Sequence, residues 1–97
     1  MSESKELICI NILNSLLEEN FTADEYSLDG PKESAVCLEK ANLSWRVYDK
    51  EKNSRNDERI FSNVVEACLE MIERLFLSRS NQAKSEFLDS IIISRIA

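Results

Sequence analysis

The apolar residues of this chain change their period twice along its 97 residues, and that change constrains the fold more than any single motif. Leu7, Ile8, Cys9, Ile10, Ile12, Leu13, Leu16 and Leu17 recur at helical spacing, with Asn11, Asn14, Ser15 and Glu18 on the opposing stripe. An apolar face this wide belongs to a helix packed against a sheet or against two neighbours. Ser2 or Ser4 can cap its start, and Glu3 and Glu6 suit the positive end of its dipole. From Phe21 the period shortens. Residues 25–29 and 35–39 read as two short strands around the Gly30-Pro31 turn. Residues 43–49 form the clearest strand, because Leu43, Trp45 and Val47 alternate with Ser44, Arg46 and Tyr48. Residues 50–57 are polar and read as a loop, and 58–61 as a short fourth strand.

The helical period returns after Asn63, which with Glu66 resembles a capping pair. Val64, Ala67, Cys68, Met71, Ile72, Leu75 and Phe76 share one side of this second helix. Glu66, Glu70, Glu73 and Arg74 share the other, with Glu70 and Arg74 spaced for an ion pair. Past residues 78–81, Phe87, Leu88, Ile91 and Ile92 again follow helical spacing, while the β-branched run 91–93 leaves a strand open there. The order α-β-β-β-(β)-α-α predicts the α+β class: a small antiparallel sheet of three to four strands with helices packed on one face. One glycine and one proline leave no long flexible linker, so residues 1–97 are expected to form a single domain with little room for a deep cleft.

The chain has no histidine, and so lacks the commonest general base and the commonest zinc ligand. No serine lies in a G-x-S-x-G elbow, and a single glycine cannot build a phosphate-cradling loop. Asp49 with Glu51, or Asp57 with Glu58, could form a carboxylate pair, but neighbouring acids in a polar loop are ordinarily solvated. The oxygens of Asp49, Glu51, Asn53 and Asp57 resemble a calcium loop superficially. Ser54 stands where that loop needs glycine and Ile60 where it needs the bidentate glutamate. Cys9, Cys37 and Cys68 are far apart and flanked by apolar residues, which suits buried thiols rather than a disulfide framework or a zinc site. No enzyme activity, metal or cofactor is expected. The acidic start lacks the basic region of a signal peptide, and the apolar run 7–17 is too short to span a bilayer, so a cytoplasmic location without membrane contact is expected.

Charge points to a partner. Residues 1–40 hold nine acids against three lysines, a net of −6, whereas the other 57 residues balance nine acids with nine bases. The density peaks at 18–33, where Glu18, Glu19, Asp24, Glu25, Asp29 and Glu33 face only Lys32. Charge concentrated in this way steers a basic partner and repels nucleic acid. On the clearest strand Trp45 belongs to the core, whereas Arg46 and Tyr48 lie on the opposite face, where such residues anchor interfaces.

The stretch Trp45-Arg-Val-Tyr-Asp-Lys-Glu-Lys-Asn53, followed by Phe61 and Glu66-Ala-Cys68, resembles a family of small bacterial immunity proteins of polymorphic toxin systems, including contact-dependent growth inhibition. The family pattern is W-x-V-Y, an E-R-G loop, a phenylalanine and a helix opening E-A-C. Trp45, Val47, Tyr48, Glu51, Phe61, Glu66, Ala67 and Cys68 match it, and Lys52 and Asn53 stand where it has arginine and glycine. The resemblance implies a monomer that binds and neutralises one cognate toxin domain, the C-terminal part of a larger secreted protein. Many such toxins are nucleases with basic active sites. The carboxylates of Glu18, Glu19, Asp24, Glu25, Asp29 and Glu33 would then take the place of substrate phosphates, with Tyr26 at the rim and Arg46 and Tyr48 as further contacts. A secretion chaperone or other protein-binding adaptor, also small and acidic, is the alternative.

Overall fold

The computed structural model describes residues 4–96; Ser2 and Glu3, considered above for the first helix, lie outside them. The chain runs α1 (Lys5–Asn20), β1 (Tyr26–Ser27), β2 (Ala35–Ala41), β3 (Ser44–Glu51), β4 (Ser54–Phe61), α2 (Val64–Phe76), a single 3₁₀ turn (Leu77–Arg79) and α3 (Ser80–Ile96). This is the expected α+β order, and the open question at 91–93 is resolved as helix. Ser4 caps α1, its hydroxyl accepting from the Leu7 N–H at 3.1 Å. Asn63 caps α2, its side-chain oxygen accepting from the Val65 N–H at 2.7 Å.

The sheet has the order β1-β2-β3-β4. Three strands are antiparallel, but the short β1 pairs parallel with β2, Tyr26 opposite Val36 and Ser27 opposite Cys37. Residues 25–39 are therefore not a hairpin. Two other readings are corrected. Leu43, expected in the core beside Trp45, is 88% exposed at the tip of the β2–β3 hairpin. Ala41 opposes Ser44, and Asn42 takes φ 60°, a left-handed conformation that asparagine tolerates. Residues 50–57 are strand and turn rather than loop: Glu51 opposes Ser54 across Lys52-Asn53, with Lys52 at φ 46°. Val47 then opposes Arg59 and Asp49 opposes Asn56, so Asp57 and Glu58 together face Tyr48 in a bulge whose Asp57 has φ 53°.

The main core lies between one sheet face and the helices. Leu38, Trp45 and Val47 meet Cys9, Leu13 and Leu17 from α1, Ala67, Cys68, Met71 and Ile72 from α2, and Ala83, Phe87 and Ile91 from α3. Each large side chain buried there contributes about 1.5–3 kcal/mol. Leu88 and Ile92, grouped with Phe87 and Ile91 by spacing, face solvent instead. A second, smaller buried cluster of Ala35, Cys37 and Tyr48 contains no helix residue.

Candidate binding surface

The acidic stretch begins in the last turn of α1 and continues through the loop and β1 to the turn after it. Glu18, Glu19, Asp24, Glu25, Asp29 and Glu33 are all exposed. Their commitments differ. Glu33 is neutralised by Lys50 at 2.6 Å. Glu18 accepts from the Asn14 amide at 2.9 Å, and Glu25 caps the loop by accepting from the Thr22 N–H at 2.7 Å. Lys32, the one base in this stretch, donates to the Ala23 carbonyl rather than to a carboxylate. Ion pairs take up Glu39, Asp49, Glu58, Glu70 and Glu73, yet none of the ion pairs among the described residues includes Glu18, Glu19, Asp24, Glu25 or Asp29.

Tyr26, expected at the rim, is 9% exposed and belongs to the main core. The structure does bring it close to Glu18: burial first, and then the Glu18 carboxylate, push the Tyr26 phenol above its ordinary value.

The outer sheet face carries Arg46 and Tyr48, as the alternation implies, but it is not an exposed aromatic surface. Tyr48 is wholly buried. The Arg55 guanidinium lies 4.4 Å from its ring centre, and its hydroxyl donates to Glu39 at 2.8 Å. Arg55 also meets Glu39 at 3.2 Å and Glu58 at 3.5 Å, and Arg46 reaches Glu58 at 3.8 Å. These charges form a lid over the ring, a task the outer face of an uncovered sheet gives to long side chains that bury their stems. Arg46 is the looser member, its Nε shielded from solvent without a hydrogen-bond partner among the described residues.

Sequence reasoning missed Arg55 and Glu39. Reading 50–57 as a loop hid Arg55, whose place opposite Lys50 follows once Lys52-Asn53 is taken as a two-residue hairpin turn. Among the described residues no group of three or more His, Cys, Asp or Glu side chains is placed to hold a metal ion. No described helix is long and apolar enough to cross a membrane. No protein-family model matches the chain, nor does any curated protein or solved structure.

Proposed function

We propose that this chain is an immunity protein that binds a cognate toxin domain of the basic nuclease type, RNase or DNase, in the cytoplasm, one copy to one toxin. The observation that carries this reading is the run of exposed carboxylates at Glu18, Glu19, Asp24, Glu25 and Asp29, none of which joins an ion pair among the described residues. Elsewhere the chain pairs many of its acids, so solubility alone gives no reason to leave this run unpaired. A nuclease site must attract phosphate and is therefore basic, and carboxylates can occupy the phosphate positions. Complementary charge of this kind raises association rates toward about 10⁸ M⁻¹s⁻¹ at low salt. The mode of action is occupation of a site, with no catalytic step by this chain. Of the other candidates, Arg46 lies on the outer sheet face, partly exposed beside Glu58. Glu33 is committed to Lys50, and the buried Tyr26 and Tyr48 leave the interface.

The test uses a candidate toxin domain, sought first in the reading frame beside this one. The purified chain should abolish its nuclease activity and sediment with it as a one-to-one complex. Asp24→Lys with Asp29→Lys should slow capture at least about tenfold at low salt, an effect that shrinks as salt screens it. Unchanged association kinetics would remove the acidic run from the interface. A dimer of this chain that holds an extended peptide would replace immunity with the chaperone reading.

A further inference from the structure

We propose that the groove between α1 and α3 receives a basic amphipathic helix of a partner protein, with its apolar side chains on Ile12 and Leu16 and its cations against Glu19 and Glu86. The groove offers about 480 Å³ and is open to solvent along one side. It exists because α1 has a wider apolar face than the core uses. Cys9, Leu13 and Leu17 are fully buried, while Ile12 and Leu16, one position earlier on the flank toward α3, are only partly covered. They form the floor beside Phe87 of α3. Further along α3, Ile93 is 66% exposed and lies on the same side as Glu86 and Ser90 at i, i+4 and i+7 spacing, so the apolar line runs on past the groove.

The walls select the occupant. Glu19 and Glu86 are the charged residues lining the groove, no lysine or arginine lines it, and neither glutamate belongs to an ion pair among the described residues. A second copy of this chain would bring its own Glu19 and Glu86 against these two, setting like charges against each other. A helix with leucines on one face and lysines or arginines beside them satisfies both floor and walls, the recognition mode of a helix laid in a groove. The span from Glu86 to Ile93 is about two turns, or ~10 Å, which sets the length of the contact. This inference rests on the groove alone and does not require the partner to be a nuclease.

The probe is a synthetic amphipathic peptide of leucine, lysine and alanine about four turns long, with a scrambled peptide of identical composition as control. In an NMR titration of the full chain, shift changes should centre on Ile12, Leu16 and Ser90. The scrambled peptide should bind more weakly. Leu16→Asn and the exposed Glu86→Lys should each weaken binding about tenfold, and the second variant holds the test if the first lowers stability. Equal binding of the scrambled peptide, shifts centred on residues 24–29, or no binding would each overturn the proposal. Its failure leaves the toxin reading intact, because that reading is tested by Asp24 and Asp29, outside the groove.

Discussion

The Tyr48 hydroxyl donates to a Glu39 carboxylate oxygen 2.8 Å away, on the sheet face opposite the helices. That bond fixes Glu39 where it also meets Arg55, and Arg55 in turn covers the tyrosine ring. A sheet face without a helix has thus buried a large aromatic side chain under ion-paired ones. Exposed ion pairs contribute little singly, but here each also excludes water from Ala35, Cys37 and Tyr48.

This arrangement ties stability to alkaline pH. Burial, followed by the hydrogen bond to Glu39, raises the Tyr48 phenol above its ordinary value of about 10. The unfolded chain then loses this proton at lower pH than the folded one, so stability is fully present below about pH 10 and falls as pH rises beyond it. Tyr26, raised by burial and by Glu18, acts in the same direction. Tyr48→Phe should cost about 1–2 kcal/mol at pH 7 through the lost bond to a charged acceptor, and should flatten the decline above pH 10. Urea unfolding at pH 7, 9 and ~10.5 measures both; an equal alkaline decline in the variant would show that Tyr48 does not cause it.

How much of this was legible in the sequence depends on what each segment packs against. α1, α2 and the Trp45–Val47 alternation read correctly because a buried face imposes its period on the residues that make it. β4 was legible only in its second half, 58–61, because it is an edge strand: one side is unpaired, and its outer face meets ionic side chains rather than a core. Seven of its eight residues are exposed, so Ser54–Ile60 shows no apolar alternation. Leu43 misled for the opposite reason, an apolar residue continuing the alternation of Trp45 and Val47 into a hairpin turn. The acidic run was legible as composition, but which acids find a cation was not, since Lys50 reaches Glu33 from β3 and Arg55 reaches Glu39 over β3 from β4.

Leu77 carries backbone strain with little return. It ends α2 at φ 55°, ψ −115°, a conformation suited to glycine, and is 70% exposed. Such a conformation costs of order 1–3 kcal/mol in a residue with a Cβ, against about 0.5–1 kcal/mol that glycine gives back through its freer unfolded chain. Leu77→Gly should therefore stabilise the protein by about 1 kcal/mol, raising Tm by roughly 4–8 °C. Leu77→Ala should show no such gain, because its Cβ keeps the strain. A lower Tm for the glycine variant would mean that the leucine side chain holds the α2–α3 junction together.

The three cysteines should react in a defined order. Cys9 and Cys68 lie between helices and sheet in the main core, and burial raises the Cys68 thiol, with Cys9 adding to the effect. Cys37 is equally buried but lies under the side-chain lid, and burial raises its thiol too. Moving a lid of side chains takes less than opening a helix layer. Iodoacetamide at pH 8 should therefore modify Cys37 first, and Cys9 and Cys68 at rates that track global unfolding. Mass-spectrometric mapping against time in low urea checks the order, and simultaneous modification of all three would show that the lid opens only with the whole domain.

Arg74 should be the most costly single charge to remove. Its side chain is 11% exposed, its Nε donates to Glu70 at 2.8 Å, and its Nη1 lies 3.7 Å from Asp49 on β3. Nη2 donates to the carbonyl of Asp57, the bulged residue of β4. One guanidinium thus ties α2 to two strands, at the place where the bulge interrupts the ladder between them. Removing it leaves Glu70, itself only 15% exposed, with Arg59 as its single cation and the Asp57 carbonyl without this donor. Breaking a largely buried pair by deleting one partner costs about 3–5 kcal/mol, so Arg74→Ala should lose about 3 kcal/mol in urea unfolding. Arg74→Lys should recover less than half of that, because one ammonium cannot reproduce a fork that donates to Glu70 and to the Asp57 carbonyl at once. Glu70→Gln should cost less than Arg74→Ala, since the guanidinium keeps Asp49 and the Asp57 carbonyl. The ranking Arg74→Ala, then Arg74→Lys, then Glu70→Gln in order of decreasing loss is the measurable outcome, and full recovery by lysine would show that charge alone, not the fork, holds α2 to the sheet.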